Sequence, residues 1–226
     1  MFKQKFIGDK TVYCSDILDA EHFFTSRELI VKDNVDLIRE YLNVKELIRP
    51  GQTHSDNIKI VGDCVDYEDT DALILSVKNI AIYLNFADCT PVILYDNVKN
   101  IGSVVHAGWR GTAKQIVQKT VIKMNDVFKS NPGDISAVIG PCISFDEFET
   151  YDEALEQLRL SVKKTDGLFR GHYADLKGIN AQQLRELGVK KIDICPYCTV
   201  KDNDKFFSYR KENKTLLRHS AVLKIK

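Results

Sequence analysis

Short apolar runs separated by polar turns dominate this sequence. Runs of this length, rich in Val, Ile, Leu and Phe and bounded by Gly, Pro, Asn or Asp, are typical of β-strands. The predicted strands cover residues 10–14, 22–25, 58–61, 70–76, 80–86, 92–95, 101–105, 135–139, 191–195, 206–210 and 221–225.

Other stretches space their apolar residues as an amphipathic helix does. The predicted helices cover residues 33–42, 113–128, 151–162 and 175–187. In the second of these, Ile116, Val121 and Phe128 would share one buried face. Strands and helices mix without strict alternation, and the chain shows no repeat or linker. We therefore expect one α/β domain with a mixed sheet over residues 1–226.

One predicted turn allows the register of two neighbouring strands to be predicted. Residues 96–100 are polar and lie between two apolar runs, so they indicate a hairpin. If its centre lies between Asn97 and Val98, paired residue numbers sum to 195, and Cys89 faces His106. Directly opposed Cβ atoms lie roughly 4.5–5.5 Å apart, close enough for both side chains to bind one ion. A bulge or a one-residue slip would remove this pairing.

Composition narrows the class of protein. The chain has 226 residues, with 32 basic and 32 acidic side chains, so its formal charge is zero. This balance argues against a nucleic-acid or membrane-surface partner. The first residues lack the apolar core of a signal peptide, and no apolar run is long enough to span a bilayer. We expect a cytoplasmic protein whose six cysteines are free, catalytic or metal-binding.

The stretch His106-Ala107-Gly108-Trp109-Arg110-Gly111-Thr112 joins a predicted strand to a predicted helix. Its two glycines permit a tight turn or a close ligand approach. We predict Thr112 as the helix N-cap, and Arg110 as a forked donor suited to phosphate or carboxylate. The alternative is a plain strand-to-helix connection with a surface arginine.

Three dispersed side chains form a candidate metal site. His54 lies in a polar loop, and Cys89 and His106 flank the predicted hairpin. One thiolate and two imidazoles leave the fourth position of a tetrahedral zinc site open, as catalytic zinc sites do. The alternative is that these are unrelated core and loop residues.

The remaining cysteines carry weaker signals. Cys142 follows Gly-Pro at a strand end and fits either a nucleophile or a small buried residue. Cys195 and Cys198 have Cys-x-x-Cys spacing, but we favour a structural or pocket role over redox chemistry. For Cys14 and Cys64 we expect core packing.

Six motifs occur together along the chain. They are Ala87-Asp88-Cys89-Thr90-Pro91-Val92, His106-Ala107-Gly108-Trp109-Arg110-Gly111-Thr112, Ile139-Gly140-Pro141-Cys142-Ile143, Asp175-Leu176 with Asn180 and Gln183, Cys198-Thr199, and Phe206-Phe207-Ser208-Tyr209-Arg210. With these motifs, in this order, the chain resembles the YfiH/YlmD-like family over roughly residues 50–212. Members of that family were first labelled multicopper polyphenol oxidases, or laccases, and later purine nucleoside phosphorylases.

The resemblance implies a single-domain, layered α/β/β/α sandwich. It implies a zinc ion, with copper as a second possibility, on His54, Cys89 and His106. It also implies phosphorolysis of adenosine, inosine, guanosine and 5′-methylthioadenosine, and deamination of adenosine. Purine nucleosides and phosphate are then the partners.

Within that reading, residue chemistry suggests further roles. We expect Arg110 to hold phosphate or a ribose oxygen, Asp88 to transfer a proton or orient a ligand, and Cys142 to be a catalytic candidate. The chain departs from the family pattern at Thr53, Ser55 and elsewhere, which bears on substrate preference. Two alternatives remain, a copper-dependent phenol oxidase and a non-catalytic, zinc-stabilised binding module.

Overall fold

Two six-stranded mixed sheets form the centre of the molecule, in a computed structural model that describes residues 1–62 and 66–226. The first sheet has the strand order β1-β2-β3-β14-β7-β4, and the second has the order β13-β10-β8-β9-β6-β5. The strands are β1 (Phe2–Ile7), β2 (Lys10–Ser15), β3 (Glu21–Thr25), β4 (Glu46–Ile48), β5 (Ile58–Ile60), β6 (Ala72–Leu75), β7 (Ile80–Phe86), β8 (Thr90–Asp96), β9 (Ile101–Ala107), β10 (Ile135–Ile139), β11 (Phe169–Arg170), β12 (Tyr173–Ala174), β13 (Lys191–Ile194) and β14 (His219–Lys224).

Five α-helices accompany the sheets among the described residues. They are α1 (Val35–Leu42), α2 (Trp109–Ala113), α3 (Ile116–Phe128), α4 (Asp152–Leu160) and α5 (Leu176–Glu186). No helix of the described chain is both long and apolar enough to cross a membrane.

Apolar clusters cover both faces of the second sheet, which explains the unbroken apolar runs. Along β8, Val92 and Leu94 face α3 and α5, whereas Ile93 and Tyr95 face the other sheet. A strand covered on both faces reads as continuously hydrophobic. A third cluster, which includes Ile38, lies between α1 and the first sheet. The predicted α/β/β/α layering and mixed sheets are confirmed.

The predicted hairpin exists, but its predicted register is wrong. β8 and β9 pair Asp96 with Ile101 and Pro91 with His106, so residue numbers sum to 197 rather than 195. Asp96 explains the shift, because its carboxylate accepts hydrogen bonds from the backbone N–H groups of Val98 and Lys99 and so builds a longer loop. The error is an even number of residues, and side chains alternate with period two, so the predicted face is preserved.

Two local predictions are corrected. Residues 206–210 form no strand but an irregular segment that ends in a turn. The N–H of Ser208 donates to Glu212 and the N–H of Arg210 donates to Asp88, so neither group is available for a strand ladder. Thr112 is no N-cap. It lies inside α2, which begins at Trp109.

Candidate metal centre

The loop before β5 delivers His54 to the edge of the second sheet. Gln52 anchors this loop, because its amide donates to the carbonyl of Asn85 (2.9 Å) and accepts from the N–H of Asn85 (2.8 Å). His54 adopts the left-handed backbone region, with φ of 63°. This conformation is uncommon for a non-glycine residue, and the surrounding hydrogen bonds maintain it.

Cys89 and His106 reach the same place from the β8–β9 hairpin. His106 is buried near the end of β9, with 3% of its surface exposed, and its partner across the hairpin is Pro91. Cys89 lies two residues before Pro91 and therefore on the same face, diagonal to His106. The ring of Phe86 packs against His106 with centroids 5.3 Å apart.

The structure brings all three predicted ligands together. One potential ligand atom from each of His54, Cys89 and His106 lies within 4.8 Å of the others. Cys89 Sγ is 3.7 Å from His54 Nε2, and the two imidazole centroids are 4.8 Å apart. This His-Cys-His group could bind a metal ion.

Gly108 leaves space beside this group. A Cβ built on Gly108 would lie 3.0 Å from Cys89 Sγ and 3.0 Å from His54 Cδ2. Any larger residue would therefore press on two of the three side chains. A compact donor set of one sulfur and two nitrogens, open on one side, fits a catalytic zinc ion by its chemistry.

Asp71 is the functional residue that sequence reasoning missed. Its carboxylate is fully buried at the entry to β6 and lies 2.6 Å from His106 Nδ1. Because a carboxylate only accepts, the ring nitrogen is the donor, and His106 Nε2 is left for Cys89. The one sequence signal was an aspartate directly before a wholly apolar strand, where a charge needs a specific partner.

In the metal-free group, the electrostatics favour a thiolate at Cys89 beside a protonated His106, whose proton a bound metal ion would displace. Burial raises the pKa of the Cys89 thiol, but the charge of His106 and hydrogen bonds with both imidazoles outweigh it and lower that pKa to about 6. Burial opposes the charge of His106, but Cys89 and Asp71 raise its pKa to about 9. Burial also opposes the charge of Asp71, yet hydrogen bonds from His106 and Ser55 lower its pKa to about 2. Cys89 is thus poised as a thiolate, the form that binds metals.

A cavity of about 1000 Å³ opens over the cluster. Its described lining is strongly basic, with Asp88 as the one acidic side chain. The basic side chains are Lys32, Arg49, Arg110, Arg210, Lys214 and Arg218. The aromatic rings of Trp109, Phe148 and Tyr209 also line it. Such a cavity suits an anion together with a flat, apolar group.

The side chains of Arg110 and Asp88 both line the cavity, but they differ in how firmly hydrogen bonds and ion pairs hold them. Arg110 is exposed, stacks on Trp109 at 4.4 Å, and has no ion-pair partner among the described residues. Both carboxylate oxygens of Asp88 are engaged. One accepts from Thr199 Oγ1 (2.6 Å) and the other accepts from the N–H of Arg210 (2.7 Å). Asp88 therefore holds in place the C-terminal segments that contain Thr199 and Arg210, the second of which lines the cavity.

Cys14, Cys142, Cys195 and Cys198 are not among the residues that line the cavity. Cys142 is fully buried, and burial raises the pKa of its thiol to about 12, which favours packing over nucleophilic chemistry. Cys195 and Cys198 are buried and free, and Lys177 donates to the carbonyl of Cys195 at 2.7 Å. Cys14 is buried, as expected, whereas Cys64 lies outside the described residues.

Comparison with known proteins gives consistent matches. A family model described as multi-copper polyphenol oxidoreductase laccase matches residues 18–226. A curated relative from Clostridium acetobutylicum, named purine nucleoside phosphorylase, is 35% identical over 185 residues, which are 81% of this chain and 78% of the relative.

Two solved structures are similar throughout. The hypothetical protein YfiH from Bacillus licheniformis has a TM-score of 0.84 and 26% identity, with 91% of this chain and 92% of that chain covered. YlmD from Geobacillus stearothermophilus has a TM-score of 0.88 and 23% identity, with coverage of 100% and 98%, which shows the shared fold.

Proposed function

Because the chain belongs to the multi-copper polyphenol oxidoreductase laccase family, and a curated relative is named a purine nucleoside phosphorylase, we propose that it is a zinc-dependent purine nucleoside phosphorylase. The observation that carries the proposal is the open His54–Cys89–His106 cluster in the wall of a basic cavity. A zinc ion held there would supply a Lewis acid next to the bound ligand.

In this proposal the basic side chains of the cavity bind phosphate. Phosphorolysis forms a bond between a phosphate oxygen and C1′ of the ribose, breaks the bond from C1′ to the purine nitrogen, and leaves the base to take a proton. Fixed cations stabilise the attacking anion and the charge that develops. We assign phosphate binding to Arg110, which is free to turn toward a ligand, and we expect Trp109 and Phe148 to contact the purine.

Asp88 and Cys142 receive different roles. Asp88 orients the ligand-binding wall through Thr199 and Arg210, because both of its oxygens already accept hydrogen bonds. For Cys142 we propose packing and no chemical step, since its thiol lies outside the cavity lining.

The proposed substrates are adenosine, inosine, guanosine and 5′-methylthioadenosine, with adenosine deamination as a second activity. The sequence resemblance supports these substrates, and the size of the cavity admits all of them. A cytoplasmic location stays a prediction.

The histidines argue against the copper-oxidase alternative. The chain has five, and His22, His172 and His219 lie outside the cluster that the described residues form. His22 bonds the N–H of Ser15 through Nε2, and His172 stacks on Tyr151. A type-1 site plus a trinuclear cluster needs many more imidazoles than two.

The test incubates zinc-loaded protein with each nucleoside, with and without phosphate, and identifies the products. We expect phosphate-dependent release of free base and ribose 1-phosphate, abolished in His106→Ala. An Arg110→Gln variant should retain zinc and raise the KM for phosphate. Zinc-replete protein that leaves every nucleoside unchanged contradicts the proposal, as does oxygen uptake with a phenol and stoichiometric copper.

A further inference from the structure

A single buried carboxylate joins the two imidazole-bearing parts of the cluster. Asp71 Oδ2 accepts from the N–H of Thr53 (3.1 Å), the N–H of Ser55 (2.7 Å) and the hydroxyl of Ser55 (2.8 Å). Asp71 Oδ1 accepts from the N–H of His54 (3.2 Å) and from His106 Nδ1 (2.6 Å). The backbone carbonyl of Asp71 also accepts from the N–H of His106 (2.7 Å).

We propose that Asp71 is a positioning residue that sets the geometry of both imidazoles at once, so that the loop carrying His54 and the strand carrying His106 form one metal-binding unit. This inference deepens the proposed function and rests on it for the identity of the bound ion.

The burial of Asp71 shows why these bonds matter. The residue has none of its surface exposed, and an isolated carboxylate is costly to bury. Three successive N–H groups converging on one anion form a concave anion-binding arrangement in the loop. The charge of Asp71 therefore stabilises the loop conformation, and the loop in turn satisfies the charge.

The same carboxylate selects which nitrogen of His106 faces the cluster. With Nδ1 donating to Asp71, Nε2 is directed to Cys89. Carboxylate partners of this kind fix the tautomer and ring orientation of metal-binding histidines. Loss of Asp71 would release the ring of His106 and also the backbone that carries His54.

Asp71 acts through His54 and His106 and does not itself reach the cavity where a metal ion or substrate would bind. It is absent from the cavity lining among the described residues, and both of its oxygens are occupied. It can therefore be neither a metal ligand nor a proton carrier for substrate without rearrangement of the loop.

The test compares Asp71→Asn with Asp69→Asn. Asp69 is an exposed neighbour that bonds the same loop, through Thr53 Oγ1 and Asn57 Nδ2, but touches no imidazole. Asparagine tolerates the left-handed backbone of Asp69, where φ is 47°. The two variants therefore make the same chemical change in the same segment.

The first measurement needs no metal. Amide hydrogen exchange of residues 53–55 in metal-free protein reports directly on the N–H groups that bond Asp71. We expect their exchange to quicken at least about tenfold in Asp71→Asn and to stay near wild type in Asp69→Asn.

The second measurement uses zinc competition with a chromophoric chelator and the absorption spectrum of the Co²⁺-loaded protein. We expect zinc affinity to fall about 10- to 100-fold in Asp71→Asn, with a shift of the ligand-field bands. The thiolate-to-cobalt band should remain, because Cys89 is not bonded to Asp71. If Asp71→Asn fails to fold, Ser55→Ala, which removes one hydroxyl donor, should show smaller changes in the same direction.

The outcomes separate the two proposals. Wild-type protein that binds no zinc overturns the proposed function, while the exchange data still decide whether Asp71 fixes the loop. If wild type binds zinc and Asp71→Asn matches Asp69→Asn in exchange, affinity and spectrum, the positioning role is wrong and the proposed function stands.

Discussion

The substitution Gly108→Ala should weaken metal binding while leaving the stability of the fold nearly unchanged. The backbone of Gly108 has φ of −65° and ψ of 172°, which alanine adopts without strain. The added Cβ would lie 3.0 Å from both Cys89 Sγ and His54 Cδ2. Ordinary contact between such atoms is about 3.5–4.0 Å, so the side chains of Cys89 and His54 must each move away by a few tenths of an ångström.

That displacement matters more for the metal than for folding. Metal–ligand distances tolerate only about ±0.2 Å, whereas an exposed loop histidine can move at little cost. We expect zinc affinity to fall about 10- to 100-fold, which corresponds to about 1.4–2.8 kcal/mol of binding free energy. The free energy of unfolding of the metal-free protein should change by less than about 1 kcal/mol.

The assay is zinc competition, paired with thermal unfolding of the metal-free protein. Gly111→Ala is the matched control, because its Cβ would meet Ile116 Cγ2 at 3.2 Å and the backbone carbonyls of His106 (3.4 Å) and Ser55 (3.5 Å), but no metal-binding side chain. Zinc affinity should then stay within about threefold of wild type. If Gly108→Ala binds zinc as tightly as Gly111→Ala does, our placement of the ion between His54 and Cys89 is refuted.

Two further predictions test groups outside the cluster. Burial opposes the charge of Glu212, but bonds from Arg27 and the N–H of Ser208 lower its pKa from 4.5 to about 2. This pKa shift stabilises the folded protein by roughly 2 kcal/mol after allowance for solvent screening; the stabilisation is present above pH 4.5 and is lost as pH falls toward 2. In denaturant titrations at different pH values, Glu212→Gln should lack that acid-dependent loss of stability. A pH profile of stability that is the same in Glu212→Gln and wild type would contradict this. Cys142→Ser should keep kcat within about threefold of wild type, because a buried, protonated thiol is a poor nucleophile, and loss of turnover in folded protein would restore its catalytic role.

Much of the fold could be predicted because strands covered on both faces are continuously apolar. β7, β8, β9 and β10 were found for that reason. β1 was missed because most of its residues are exposed and half of them are polar, so that it forms no apolar run. Its place in the sheet comes from pairing with β2. The short β4, β11 and β12 were missed too, since strands of two or three residues leave little periodic signal. The equally short β5 was predicted because apolar Val61 follows it.

The site could be predicted only in part. The side-chain period of the hairpin kept Cys89 and His106 on one face despite the wrong register. The role of Asp71 could not be predicted, because its hydrogen-bond partners lie 16 to 35 residues away in the sequence and only the folded chain brings them together. The engaged oxygens of Asp88 were hidden for the same reason, since Thr199 and Arg210 reach it from the far end of the chain.

X-ray absorption at the zinc edge of the loaded wild-type protein tests the central claim most directly. A site built by His54, Cys89 and His106 predicts one sulfur at about 2.3 Å and two imidazole nitrogens at about 2.0–2.1 Å, with one further light atom. Cys89→Ser should remove the sulfur shell. A wild-type spectrum with no sulfur neighbour, or with two or more, would contradict the account.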